Sequence, residues 1–508
     1  MSISAPPIET RSAFPAGLVL GALGVLIATV VSGASPQVAV AFVVFAVIAS
    51  LTRSAYLRWP HLIGALILVI LLIPIRRYAL PANLPFQLEL YRVIVAVLVV
   101  GWAASLLVDS RSRFRRTGFE APLAVIFGAL IASVLANPSR VAQSSPEVNK
   151  ALMFFVSFVL VLYLTACAIR RLDEVDFLAK TLVAGGAFVA FFAIVEARTS
   201  FNVFNHVSRV IPFLIDQGDV GGFVRVGTGK LRVFGSAQHP IALSAALVML
   251  IPLALYLARR YRQRRWMACA LVLLLAATAT VSRTGIIMLV VAGLVFLWLR
   301  PRETRRLWPA LLLAPIVIHF ALPGTMGAIK NSFFPAGGLL AEQKVQPGTG
   351  GSGRIADLGP GLQQWKRQPL LGEGFGTRVV DSTIVSTPVP KASALDPNVK
   401  ILDNQWLGLL LETGAVGFFG WLWLFTRVIR RFGAEARRDE SDRGWLLASL
   451  TAGVAAYAVG MLTFDAFAFI QVTFLLFIFV GLGAALLSER PTPLAVRTAR
   501  GKPAVAKS

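Results

Sequence analysis

Residues 266–281 read WMACALVLLLAATATV, Ser282 and Arg283 follow, and residues 284–299 read TGIIMLVVAGLVFLWL. Neither flank carries a charge, and neither alternates apolar with polar residues as the strands of a membrane barrel would. In hydrocarbon a chain must satisfy its own backbone hydrogen bonds, so unalternating runs of this length predict membrane α-helices. Arg283 is left almost no loop between them. Its guanidinium therefore lies at the membrane edge or turns into a wet cavity. An arginine at bilayer depth costs at least about 2.5 kcal/mol and marks a candidate functional residue. The alternative is snorkelling at a helix end, which costs little.

The same pattern extends outward. Further apolar windows lie at 14–33, 36–51, 59–75, 90–107, 119–137, 150–168, 177–196, 237–257, 307–323, 405–428, 444–463 and 467–487. Together they predict an all-α polytopic bundle of about fourteen transmembrane helices. With 56% hydrophobic and 15% charged residues over 508 positions, a soluble globular chain is excluded. The run at 14–33 reads as the first helix rather than a cleaved signal peptide, because it is long enough to span and further spans follow at once. Between Thr325 and Asp403 the chain has no membrane-length apolar stretch, which predicts one large loop. The organisation expected is N-terminal helices over 1–229, a core over 230–420 that includes the loop 325–403, and C-terminal helices with a basic tail over 421–508.

A net charge of +24 would suit a nucleic-acid partner, but the placement of the charges argues otherwise. The clusters at Arg111/Arg113/Arg115/Arg116, Arg170/Arg171, Arg259/Arg260/Arg262, Arg300/Arg302/Arg305 and Arg427/Arg430/Arg431 all fall on one side of the predicted helices. By the positive-inside rule that side is cytoplasmic, with both termini inside and the loop 325–403 outside. No basic stripe with interleaved aromatics appears, so no nucleic-acid partner is expected. Cys167 and Cys269 lie in separate predicted helices and form neither a C-x-x-C nor a zinc set. No Walker A run or G-x-G-x-x-G after a strand points to a nucleotide, and no internal repeat points to the paired halves of many transporters.

Polar residues that ask for a reason gather on the predicted outer side. Arg232 precedes a helix opening with Gln238-His239-Pro240, where free N–H groups make an anion site. Of the four histidines only His239 sits there near other polar groups, too few for a metal set. Arg354 follows a glycine-rich stretch and reads as a solvated loop residue or a ligand-binding one. Asp403 reads as the N-cap of the re-entering helix or as a general base at a cavity edge, the spacing favouring the cap.

These residues carry a resemblance. Arg232 with Gly235 and Gln238-His239-Pro240, Ser282-Arg283-Thr284-Gly285, Gly353-Arg354 with Trp365, Gln368 to Gly376, and Asn404-Gln405-Trp406-Leu407 running into Glu412-Thr413-Gly414 together resemble the O-antigen ligase and polymerase family over roughly 230–420. The resemblance implies a bacterial inner-membrane glycosyltransferase that takes an undecaprenyl-diphosphate-linked glycan on the outer face and needs neither metal nor other cofactor. It implies a sugar or lipid-linked glycan as acceptor, with membrane lipid around the bundle and a chain-length regulator among the candidate partners. Arg232, Arg283 and Arg354 match arginines that hold the donor diphosphate, with His239 and Asn404 beside them. Where ligases of the family often have a histidine before the asparagine, this chain has Asp403, which tilts the expectation from ligase toward polymerase, with inversion at the anomeric carbon; either the Asp403 carboxylate takes the hydroxyl proton in place of the histidine, or the base lies elsewhere, or an oxocarbenium-like transition state needs little base help.

Two other classes compete. A flippase of lipid-linked sugars would place charge along a path through the helices, whereas these are nearly charge-free in mid-span. A scaffold without chemistry would use the long loop as a docking surface.

Overall fold

The computed structural model describes residues 58–81, 87–108, 113–218, 223–224, 231–305, 308–335, 337–339, 355, 358–377 and 403–488. The windows 14–33 and 36–51, Arg354, and residues 378–402 lie outside these. From residue 59 on, each predicted window carries a helix. These are α1 (Trp59–Leu72), α2 (Leu90–Val108), α3 (Glu120–Ala136), α4 (Ser145–Ala168), α5 (Leu172–Thr199) and α6 (Pro240–Tyr261). They continue as α7 (Arg264–Ala279), α8 (Arg283–Leu299), α9 (Trp308–Ala321), α10 (Gln405–Arg438), α11 (Asp442–Gly460) and α12 (Ile470–Ser488). Strand among the described residues is limited to two antiparallel pairings, β1 (Tyr78–Ala79) with β2 (Ile215–Asp216) and β3 (Phe223–Val224) with β4 (Leu231–Arg232).

The protein is a mainly helical, multi-pass membrane protein by the character of these helices. Six of them, α2, α4, α5, α6, α10 and α12, are long and apolar enough to cross a membrane. A seventh crossing arises if the latter part of α9 and the helix Thr325–Phe333, bent by 117° at their break, count as one. The described residues do not confirm the expected count of about fourteen: the first two windows lie outside them, and α1, α3 and α8 have 14, 17 and 17 residues, below or at the low end of the roughly 17–25 that a crossing takes. Nor does the polar excursion begin as loop. Gly324, with φ 77°, is the N-cap of the helix Thr325–Phe333, and Leu358–Trp365 forms a second short helix.

At the centre lie α6 and α12, almost wholly buried, and α11, buried along most of its length. α6 packs against α5, α7, α8 and α11, and α12 against α4 and α11. Lipid is as apolar as these side chains, so close packing rather than escape from water holds such helices together. At the α6–α8 crossing this demands a small residue: a Cβ on Gly285 would lie 1.7 Å from Ser244 Oγ.

One end of the bundle is tied by arginines. Arg260 pairs with Asp176 (2.6 Å) and Asp442 (3.0 Å), and Arg443 pairs with Asp439 (3.0 Å). Arg300 donates to the carbonyls of Ala436 and Asp439, Arg427 to that of Gly118 (2.7 Å) and Arg431 to that of Thr117 (3.0 Å). The basic clusters thus do structural work besides carrying a topological signal, pairing with carboxylates and donating to backbone carbonyls, with Arg300 completing the C-terminus of α10.

Candidate active site

At the other end, three helices begin. α6 is capped by His239, whose Nδ1 accepts from the Ile241 N–H (3.1 Å), with Pro240 in the first turn. α8 is capped by Ser282, whose Oγ accepts from Gly285 N–H (3.4 Å), and Arg283 is its first residue. α10 is capped by Asn404, whose Oδ1 accepts from Leu407 N–H (3.1 Å). The cap favoured for Asp403 therefore belongs to Asn404, one residue on; an asparagine offers the same acceptor without a charge. Asp403 itself is half-buried immediately before the cap.

All three starts meet one segment, residues 461–469, between α11 and α12. The His239 ring stacks on Phe469 at 5.6 Å. Next to it the Gln238 amide, turned to suit its neighbours, donates to the Ala468 carbonyl (3.2 Å). Thr463 Oγ1 donates to Thr284 Oγ1 (2.9 Å) beside Arg283. Gln405 N–H donates to the Met461 carbonyl (2.8 Å), and Gln405 Oε1 accepts from Phe467 N–H (2.9 Å). Each helix start carries roughly half a positive charge, so their convergence favours an anion.

Arg232 joins them through the α7–α8 turn. Its Nε donates to the Thr280 carbonyl (3.1 Å), three residues before Arg283. Both arginines are half-buried. The turn is strained: Val281 has φ 49°, a left-handed conformation costly for a β-branched residue, and is wholly buried. Its amide donates to the Thr278 carbonyl (3.0 Å), and Thr280 Oγ1 to that of Ala277 (2.7 Å). The β4 segment carrying Arg232 is set by Glu196, 2% exposed, whose carboxylate accepts from Phe234 N–H (3.3 Å) and Gly235 N–H (2.9 Å).

The polar loop enters the same region through a broken helix. α10 is interrupted at Gly414, where φ is 63° and ψ −163°. The backbone groups released by the break are taken up by the loop: Ala415 N–H donates to the Pro369 carbonyl (2.8 Å), Val416 N–H to that of Leu370 (3.2 Å), and Glu373 N–H to that of Leu411 (2.8 Å). Only glycine fits on either side, since a Cβ on Gly372 would lie 2.6 Å from the backbone of residues 411–414. Glu373 then anchors the loop, accepting from Gln364 Nε2 (2.7 Å) and Arg140 Nη1 (3.0 Å). Non-helical backbone of this kind is tolerated at membrane depth where protein satisfies it.

Residues 268–422 match the family model described as O-antigen ligase. This stretch of the chain is similar to the O-antigen ligase family. No curated protein matches the chain. The matched segment opens inside α7 and closes inside α10, so it contains Arg283, the loop and the Asn404 cap, while Arg232 and His239 precede it. The family is one of membrane glycosyltransferase-like proteins acting on lipid-linked glycans, consistent with an enzyme and with polysaccharide biosynthesis.

Of the residues singled out in the sequence, Arg232, His239, Arg283, Asp403 and Asn404 belong to the elements gathered around residues 461–469, and Arg354 lies outside the described residues. Sequence reasoning missed Glu196, Glu373 and Arg140. A carboxylate near the end of an otherwise apolar helix was the available signal for Glu196. Among the described residues no three His, Cys, Asp or Glu side chains come together as a metal site requires. The positive groups present are guanidiniums and helix starts.

Proposed function

We propose that this protein polymerises lipid-linked oligosaccharide repeat units into a surface polysaccharide at the outer face of the bacterial cytoplasmic membrane, with both termini cytoplasmic. The donor is an undecaprenyl-diphosphate-linked glycan and the acceptor the terminal sugar of another lipid-linked unit. The observation that carries this reading is the convergence of the α6, α8 and α10 starts, with Arg232 and Arg283, at the end opposite the arginine-tied one.

In the proposed step an acceptor hydroxyl oxygen attacks the anomeric carbon, and the bond from that carbon to the phosphate oxygen breaks. The bonding pair leaves on the diphosphate and the configuration inverts. Charge growing on the leaving oxygen is met by guanidiniums, which grip phosphate in a planar fork, and by helix N-termini. Removing one such donor typically costs about 10²–10³ in rate. Asp403 takes the hydroxyl proton. A positioned base contributes about 10²–10⁴. Guanidiniums and helix starts supply the positive charge in this scheme without a metal ion.

The family description favours a second reading, in which the finished lipid-linked chain is transferred to a different acceptor. Cells lacking the protein, complemented with wild type, Arg283→Ala or Asp403→Ala, separate the two. Accumulated single lipid-linked units mean polymerase, and accumulated long lipid-linked chains mean ligase. Arg283→Ala should insert and accumulate yet make no product, and Arg283→Lys should also fail. Full activity of Arg283→Ala, or intermediates held on the cytoplasmic leaflet, sinks the proposal.

A further inference from the structure

We propose that Arg76 is a further arginine of this site, holding a phosphoryl oxygen of the lipid-diphosphate donor; the inference rests on the donor reading given above. After α1 the chain turns so that Arg76 takes φ 69°, a left-handed conformation that glycine or asparagine adopts with less strain. The kink is built and not slack. Arg76 N–H donates to Glu89 Oε1 (2.5 Å), and the buried Glu89 carboxylate is itself held by Arg92 (2.8 Å) and the Tyr91 hydroxyl (3.1 Å). On its other side, Arg77 is buried and paired with Asp216 (3.1 Å), which clips the α1–α2 connection to the 200–218 segment through the β1–β2 pairing.

Two neighbouring arginines therefore have different fates: Arg77 is consumed by the clip, while Arg76 is exposed. Arg76 Nε faces the Gln238 amide oxygen at 3.2 Å, and the nitrogen of the same amide bonds Ala468. That single side chain places the Arg76 guanidinium beside the His239 cap and the 461–469 segment on which the three helix starts converge. With Nε so engaged, the two Nη groups still form a donor pair suited to an anionic oxygen. An arginine standing where glycine would be less strained is accounted for by what its side chain does, and strained residues of this kind collect at functional sites.

The test uses the full-length protein in lipid nanodiscs and undecaprenyl diphosphate, free of glycan, as the probe. Arg76→Gly should weaken binding about ten-fold, as the loss of one charge-assisted contact does, while the ligand-free Tm is unchanged or higher. Arg76→Lys should recover only part of the affinity. If Arg76→Gly lowers the ligand-free Tm, Arg76→Asn, which also tolerates the left-handed backbone, decides on the same readouts. Wild-type affinity in the substituted protein overturns the proposal. So does a loss seen only with the glycan-bearing donor, which would assign Arg76 to an acidic sugar. Arg283→Ala in the same assay tells the two failures apart. Binding lost there but kept in Arg76→Gly refutes the Arg76 assignment alone, and binding kept in both refutes the donor reading as well.

Discussion

Gly414→Ala tests the join between the polar loop and the broken helix. At φ 63° and ψ −163° the backbone occupies a region essentially reserved for glycine. An added Cβ would also lie 2.2 Å from the Leu370 carbonyl oxygen and 2.3 Å from its carbon, so the loop must move. Moving it breaks the bonds from Ala415 to Pro369 and from Val416 to Leu370. Backbone strain of about 1–3 kcal/mol and about 1 kcal/mol for each bond give a cost of roughly 3–5 kcal/mol. That is a large part of a typical stability of about 5–15 kcal/mol. The assay is thermal unfolding of the solubilised protein, with limited proteolysis of the loop and the cellular glycan profile alongside. Gly414→Ala should unfold several degrees earlier, be cut more readily near residues 366–377, and lose product. Gly128→Ala on α3, where an added Cβ meets nothing within 4 Å, is the control and should behave as wild type. A Gly414→Ala protein with wild-type Tm, cleavage and product would refute the interlock.

Two further outcomes are expected. Glu196→Ala leaves two buried N–H groups without their acceptor, at about 1–3 kcal/mol each, and should cost glycan transfer more than it costs membrane accumulation; equal transfer per molecule in the variant would show that Glu196 does not set the Arg232 segment. Burial pulls the Asp439 carboxyl up, but hydrogen bonds from Ser441 and Arg443 outweigh it and hold it below its ordinary 3.8, so its contribution to stability is present above that value and is lost as pH falls below it. Asp439→Asn should therefore be less stable than wild type near neutral pH, with the gap closing in acid; a gap that stays constant with pH would remove the charge from the explanation.

The helices were legible because apolar length is a local property. Windows 59–75 through 467–487 each hold a helix, and Pro240, Ser282 and Asn404 mark starts by ordinary capping chemistry. The break in α10 was not legible in the same way. Residues 405–428 read as one run, and Gly414 alone does not distinguish a packing glycine from a left-handed one; the distinction comes from Leu370, more than forty residues earlier. Asp403 was misread for a smaller reason. Asp and Asn are equally good caps, so composition cannot choose between adjacent positions, whereas the Asn404 to Leu407 bond does. Glu373 and Arg140 are separated by more than two hundred residues, and neither has a local pattern that announces the other.

Residues 461–469 make the strongest case for what only the fold can supply. In sequence they straddle the end of window 444–463 and the start of window 467–487, with Asp465 the sole charge. In the structure they are the surface against which the starts of α6, α8 and α10 are registered, through Phe469, Thr463 and the backbone of Met461 and Phe467. A sequence search for a diphosphate site counts arginines, because side-chain charge is visible there. Backbone charge is not, since the half charge of a helix start is aimed at a site only by the elements packed against that helix. By that reasoning the proposed site would owe its positive field to two kinds of source with different sensitivities. Substitution at Arg283 removes one guanidinium and leaves the helix starts aligned, while disturbance of residues 461–469 leaves every arginine in the chain and misaligns three helix starts together. A loss of donor binding from changes in that uncharged segment is what separates a field built by the fold from one built by arginines alone.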